Sequence, residues 1–286
     1  MLDVTRLRVL AAVARHGSVT AAAQALHYGQ PSVSHHLARL EAETGAVLTQ
    51  RVGRGIRLTE AGRRLAERAE EILGRLDAAE AELAELSGLH SGRVRMAAFP
   101  SAAGTFVPQA MASFRQRHPG IELTLVAAEP PEALQLLRGG EVEIAVAFDH
   151  RPIDEPDLRL TPVLTEKIFL VTPVDDTGSE LTAYADAEWI AGCERCRQHL
   201  VRECTRTGFA PRIAYTTDDY VAVQNLVAAG LGVATLPELA LRAVRHPGVR
   251  VCELPGQRRQ VFAAVYGQPP DPPATTAALQ ALAAVG

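Results

Sequence analysis

Four side chains able to carry chemistry crowd into residues 193–204: Cys193, Cys196, His199 and Cys204. Three thiols and one imidazole suffice for a tetrahedral zinc site. An oxidation-sensitive pair of thiols, Cys196 and Cys204, is a second reading. On a continuous helix from Arg197 to Thr207 they would lie about 12 Å apart, too far for a disulfide without unwinding. A third reading is plainer: free cysteine is an ordinary small buried residue, and these thiols are structural or line a ligand site. All three stay open, and the assignment carried forward has no metal and no cofactor. Cys252 stands apart from the group. A second imidazole pair, His35-His36, does not suit metal, because adjacent helical residues point about 100° apart.

The charge is unevenly placed. The 286 residues carry a net −4, which argues against a general nucleic-acid binder. Residues 1–64 nevertheless hold nine arginines against four acids, a net of +5, while residues 65–90 hold two against seven, a net of −5. A basic head on an otherwise acidic chain is the footprint of phosphate contact through one end. The 47% hydrophobic content fits a packed protein of two or three domains. No apolar run approaches the roughly 18–20 residues of a membrane span, and the N-terminus does not read as a secretory signal. The expected location is cytoplasmic, with no membrane partner.

Short helices must position the basic head. Leu7, Leu10 and Ala14 recur at helical spacing, Gly17 ends that helix, and Ser18 suits the N-cap of a second helix from Val19 to Leu26. Tyr28-Gly29-Gln30 breaks it, and Pro31 suits the first turn of a third helix reaching Glu43, with Val33, Leu37 and Leu40 inward. Two short helices joined by a Gly-containing turn make a helix-turn-helix. Val47-Leu48 and Ile56-Arg57-Leu58 read as two strands around a basic Gly-rich tip, a wing. From the N-cap Thr59 a long helix runs to Leu86. Its apolar positions Leu65, Ala69, Ile72, Leu76, Ala79, Leu83 and Leu86 form a heptad seam that favours a paired helix.

After the linker Ser87–Gly92 the pattern changes to alternating strands and helices. Val94–Phe99, Ile121–Val126 and Val142–Phe148 read as strands separated by helices Thr105–Arg117 and Pro131–Arg138. A second set follows: strands Lys167–Thr172, Trp189–Ala191, Arg212–Tyr215 and Gly232–Leu236, with helices Arg197–Thr207 and Tyr220–Ala229. This spacing indicates βαβ units and a parallel sheet. Two such lobes, crossing near Thr161-Pro162 and Gly267-Gln268, would enclose a cleft. No close sequence repeat relates them.

At this point the chain resembles the LysR-type transcriptional regulator family over essentially its whole length. The resemblance rests on Ser18-Val19-Thr20-Ala21-Ala22-Ala23, Gln30-Pro31-Ser32-Val33-Ser34, Leu40-Glu41 and Arg57-Leu58-Thr59-Glu60-Ala61-Gly62. Further on it rests on Leu226-Val227-Ala228-Ala229-Gly230-Leu231-Gly232-Val233-Ala234 and Leu236-Pro237. The resemblance implies an α/β fold class: an N-terminal winged helix-turn-helix, a long linker helix, and a two-lobed, periplasmic-binding-protein-like effector domain. The expected boundaries are 1–60 for the DNA-binding domain and 61–90 for the dimerising helix and hinge. Residues 91–286 form the effector domain, with lobe I at 91–162 and 268–286 and lobe II at 163–267.

The family also implies roles. The helix from Pro31 enters the major groove of double-stranded promoter DNA. Gln30, Pro31, Ser34 and His35 match the base or phosphate contacts, with Ser32, His36 and Arg39 next. His35-His36 departs from the frequent Arg-Gln or Gln-Gln, so the sequence read differs from that of relatives. Arg54 and Arg57 reach from the wing to the minor groove or its phosphates, with Arg51, Arg63 and Arg64 as phosphate anchors. In the cleft, Ser101 matches a ligand-binding hydroxyl, although a helix N-cap would also explain it. Pro100, Ala102, Phe148, Cys193 and Thr217 complete the expected effector contacts with Glu129, which departs from the usual hydroxyl or Gly and would repel an anion. Cys196 and Cys204 lie in the lobe where peroxide-sensing relatives place their reactive pair.

The expected function is regulation of transcription by a homodimer or homotetramer. A small-molecule effector or a thiol event in the cleft would change access of RNA polymerase to the promoter. The competing classes are an α/β enzyme or a solute-binding protein using the same cleft. Against an enzyme stand the lack of a P-loop, a Gly-x-Ser-x-Gly elbow or a metalloprotease motif. Gly230-Leu231-Gly232 lacks the third glycine of a dinucleotide fingerprint and follows a helix. A solute receptor would need export and leaves residues 1–64 unexplained.

Overall fold

Two glycines and three polar caps cut the N-terminal sequence into helices. Asp3 opens α1 (Val4–His16) by accepting from the Arg6 N–H at 3.1 Å, and Gly17 closes it at φ 68°. Ser18 caps α2 (Val19–Ala25), accepting from the Ala21 N–H at 3.1 Å. α3 (Gln30–Thr44) starts with Pro31 in its first turn and ends at Gly45, φ 66°. The computed structural model describes residues 2–52, 55–86, 92–151, 155, 157–267 and 269–285, with the backbone alone at 51, 52, 55, 77, 78 and 80–86. Arg54 of the expected wing tip, most of the linker and Gln268 therefore fall outside the described residues.

The wing hairpin pairs β1 (Thr49–Val52) with β2 (Gly55–Leu58), Thr49 opposite Leu58. Val47-Leu48, expected as the first strand, is not part of it. The Leu48 N–H donates to Glu41 Oε1 at 2.8 Å, the Leu48 carbonyl accepts from the Thr59 N–H, and the Val47 carbonyl accepts from the Thr59 hydroxyl. The ladder starts at Thr49, whose own N–H also donates to Glu41 Oε1, at 2.9 Å. Thr59 Oγ1 also accepts from the Gly62 N–H at 3.0 Å and so caps α4 (Glu60–Leu86).

Leu7, Leu10, Val33, Leu37, Leu40, Leu48 and Leu58 form the core of this N-terminal unit, and α4 adds Ala66 and Ala69. The expected heptad seam is therefore divided. Leu65 and Ala69 turn toward their own core together with Leu73, while Ile72 and Leu76 remain 41% and 36% exposed.

The second compact unit is C-terminal, from His90. Its first half runs β3 (Arg93–Ala98), α5 (Pro100–Ala103), α6 (Phe106–Arg117), β4 (Glu122–Ala127), α7 (Pro130–Arg138) and β5 (Ile144–Asp149). A long β6 (Leu158–Pro173) leads to β7 (Glu188–Ala191), α8 (Glu194–Arg206), β8 (Arg212–Thr216), α9 (Tyr220–Ala228), β9 (Val233–Pro237) and α10 (Glu238–Ala243). The chain returns through β10 (Val249–Tyr266) to α11 (Pro273–Ala283).

All these strands share one sheet, ordered β4-β3-β5-β10-β6-β9-β7-β8. β3 lies between parallel β4 and β5, and β7 between parallel β8 and β9. The lobes thus repeat one topology without repeating a sequence. The sheet is mixed, not parallel throughout: β6 and β10 run antiparallel to each other through both lobes. β10 pairs with β5 through Gln260–Ala264, so the second crossing lies inside β10, near its register shift between Glu253 and Arg258, and not at Gly267-Gln268. Leu254-Pro255-Gly256 reads locally as a turn, which hid this strand in the sequence.

Candidate functional site

Burial divides α3 into two faces. Val33, Leu37 and Leu40 are buried, whereas Gln30, Pro31, Ser32, His35 and Arg39 are exposed and Ser34 is half-buried. The first turn of the helix therefore presents amide, hydroxyl and imidazole groups outward. His36 differs: it is half-buried and stacks on Tyr28 with centroids 6.0 Å apart. Arg57 is exposed on β2. Arg63 bonds the Leu58 carbonyl and Glu60, and Arg64 also bonds Glu60, so these two are already partnered.

The second site forms where parallel strands end. The loops after β3, β4, β7 and β8 meet between the lobes, the place where α/β sheets bind ligands. They bring Pro100, Ser101, Glu129, Cys193 and Thr217 to one cavity of about 50 Å³, with Phe148 from β5. That is room for about three to five waters, hence for a small ligand. Ala102 is not among these residues; it lies in the first lobe's core with Phe106 and Val107. Ser101 is not a helix cap either, since Phe99 holds that position and makes no side-chain cap bond.

A buried ion pair closes the floor of the cleft. Arg259 and Glu166 stand opposite each other on β10 and β6, each side chain 2% exposed. Arg259 Nε donates to Glu166 Oε1 at 2.6 Å, and Glu166 Oε2 accepts from the Leu239 N–H at 2.7 Å. Arg259 Nη2 donates to Ser101 Oγ at 3.1 Å, and its guanidinium lies 3.8 Å from the Phe148 ring centroid. Ser101 thus accepts from Arg259 and keeps its own proton for a ligand. Burial raises the Glu129 pKa, and Glu129 Oε2 is buried without a hydrogen-bond partner.

The sequence matches the family described as "Bacterial regulatory helix-turn-helix protein, lysR family" over residues 4–63 and "LysR substrate binding domain" over residues 87–286. The chain belongs to the LysR family. It is a LysR-type transcriptional regulator that joins a DNA-binding helix-turn-helix to an effector-binding domain. Among relatives, the regulator YcgK of Bacillus subtilis strain 168 is 31% identical over 275 residues, covering 87% of this chain and 83% of that protein. The RuBisCO operon transcriptional regulator of Allochromatium vinosum is 30% identical over 269 residues, covering 90% and 88%. Among solved structures, the LysR regulator CbnR bound to its target DNA is 21% identical, with TM-score 0.66 and full coverage of both chains.

Within this LysR domain the thiols separate. α8 is continuous from Glu194 to Arg206, which sends Cys204 into the second lobe's core with Trp189 and Leu200. Burial raises the Cys204 pKa to about 12. Cys193 and Cys196 instead sit at the start of α8, against Phe99 and Phe148 of the cleft. A hydrogen bond between them holds Cys193 as the thiol, raising its pKa, and lowers that of Cys196 with help from Arg259. The proposed ligands of a shared metal are therefore dispersed. Arg259 and Glu166 escaped the sequence reading; the signal for them was a pair of opposite charges inside two strands otherwise patterned for burial.

Proposed function

We propose that the exposed first turn of α3 reads promoter DNA and that a small polar effector between the lobes controls the result. Gln30, Pro31, Ser34 and His35 contact base edges or phosphates, Ser32, His36 and Arg39 flank them, and Arg54 and Arg57 reach from the wing. The observation that carries this reading is the division of α3 into a buried apolar face and an exposed polar one on a basic headpiece. CbnR, of like fold, has been captured on its target DNA, which supports the same use of the headpiece. The effector contacts are Pro100, Ser101, Glu129, Phe148, Cys193 and Thr217, with Arg259 beneath them.

Exposed Ile72 and Leu76 support pairing of two α4 helices into a homodimer, and α/β domains pairing in turn would give a homotetramer. Effector binding shifts the lobes, the DNA bend and the access of RNA polymerase. Among the described residues no helix is long and apolar enough to cross a membrane, in keeping with a cytoplasmic location. A gel-shift on the DNA upstream of its own gene, over a salt series, tests the reading. Sequence-selective binding that weakens steeply with salt supports it; no selective binding at low salt overturns it.

A further inference from the structure

A second cavity, of about 230 Å³, lies outside the interlobe cleft, where the end of β5 meets α8. Asp149, His150 and Arg151 line it from the first lobe, and Arg195, Gln198 and Arg202 from the second. Among the described lining residues, three guanidiniums face one carboxylate. Arg195 commits Nη1 to the Phe148 carbonyl at 2.7 Å and to Asp149 Oδ2 at 2.8 Å. Arg202 Nε lies 3.6 Å from Glu203, which Arg206 also holds, at 3.0 Å. Glu194 is occupied at the rim by Gln198 and Arg197.

Behind the arginines stands a stacked imidazole pair. The His150 and His199 rings are 3.9 Å apart and 8° from parallel. Arg202 Nη2 donates to His199 Nδ1 at 2.8 Å, so that nitrogen carries no proton. His199 Nε2 then donates to Gln257 Oε1 at 3.2 Å, which makes the ring neutral. Among the described residues, neither of the buried ring nitrogens of His150 meets a hydrogen-bond partner at bonding distance and angle. Burial first, then the stacked His199 and the cations Arg259 and Arg202, hold its pKa far below the usual value. The described lining of the cavity is therefore cationic on balance, with guanidinium donor forks backed by two neutral rings.

We propose that this cavity binds a small oxyanion, a carboxylate or a phosphate, between Arg195 and Arg202, and so ties the first lobe to the second. Guanidinium forks match the planar or tetrahedral oxygens of such groups, and donors from both lobes bridge through one ligand. The site is separate from the interlobe cleft and does not depend on which effector that cleft takes.

The test is calorimetric titration of the full-length protein with inorganic phosphate and, separately, citrate, at ionic strength fixed with chloride. Saturable binding of either anion, with the His150 and His199 imidazole NMR signals shifting in step, is expected. Arg202→Gln should weaken it by about tenfold or more. Gln198→Glu adds a repelling charge at an exposed position and should weaken it without loss of a buried contact, so it serves if Arg202→Gln fails to fold. Tighter phosphate or tighter citrate identifies the class. No saturable binding, unmoved His150 and His199 signals, or affinity unchanged in folded Arg202→Gln and Gln198→Glu overturns the proposal.

Discussion

Arg259 and Glu166 lie 93 residues apart in sequence yet face each other across paired strands at 2.6 Å, both removed from solvent. A charge pair so placed is costly to break, because either partner alone remains buried and uncompensated. Glu166→Gln should therefore destabilise the C-terminal unit by about 3–5 kcal/mol. Replacing both residues by apolar ones of similar size should recover most of that loss. Urea unfolding of the single and double variants checks this; a single variant as stable as the parent contradicts it.

Gly62 sits where α4 crosses the wing. A β-carbon there would lie 2.0 Å from the Leu48 carbonyl oxygen, a backbone atom held by the Thr59 N–H. Gly62→Ala should cost about 1–3 kcal/mol by forcing the helix and the wing apart. The melting temperature of the N-terminal unit, fused or isolated, should fall. An unchanged melt would show that α4 can shift freely.

Ile72 and Leu76 belong to a helix whose inner residues already serve their own core. Changing both to Glu leaves that core intact and places charge on the exposed stripe. The variant should run as a smaller species in light scattering and lose most of its DNA affinity. A parent-like mass would exclude α4 as the dimer contact.

Arg57 and His35 should fail in different ways on DNA. Arg57→Ala removes one phosphate-neutralising charge, so the slope of log affinity against log salt should fall by about one, with little change in sequence preference. His35→Ala should alter preference at one base position by about 1–3 kcal/mol, with the salt slope unchanged. Salt-series gel-shifts on matched and altered sites separate the two.

Burial, then the stacked His199 and the Arg259 cation, lower the His150 pKa from 6.5 to about 2, and burial also lowers that of His199. Below about pH 6.5 the unfolded chain takes up protons that the folded one refuses, so stability falls as pH falls from there toward 2. Glu129, raised by burial, acts in the opposite sense, stabilising below 4.5 and losing that contribution as pH rises through its folded pKa. His150→Phe keeps the stacked ring and removes the titration. Its urea midpoint should drop less than the parent's between about pH 7 and about pH 5; parallel curves would rule out the imidazole as the cause.

The helical headpiece was legible because its signals are local. Asp3, Ser18 and Thr59 bond N–H groups three residues on, and Gly17 and Gly45 adopt positive φ within the same turn that they end. The alternation of strand and helix also followed from neighbouring residues, whereas the cleft loops at Ser101, Glu129, Cys193 and Thr217 were implied by the family resemblance and not by local pattern. What only tertiary structure decided are relations between distant segments. β10 continues past a Pro-Gly sequence that has no ladder partner itself, because β6 pairs with it on both sides, at Val249–Glu253 and Arg258–Tyr266, and β5 at Gln260–Ala264. Arg259 is buried with Glu166 standing opposite, and His150 is held neutral by burial together with His199, Arg259 and Arg202. Buried charge and strand register depend on the partner, and no local pattern names a partner so far along the chain.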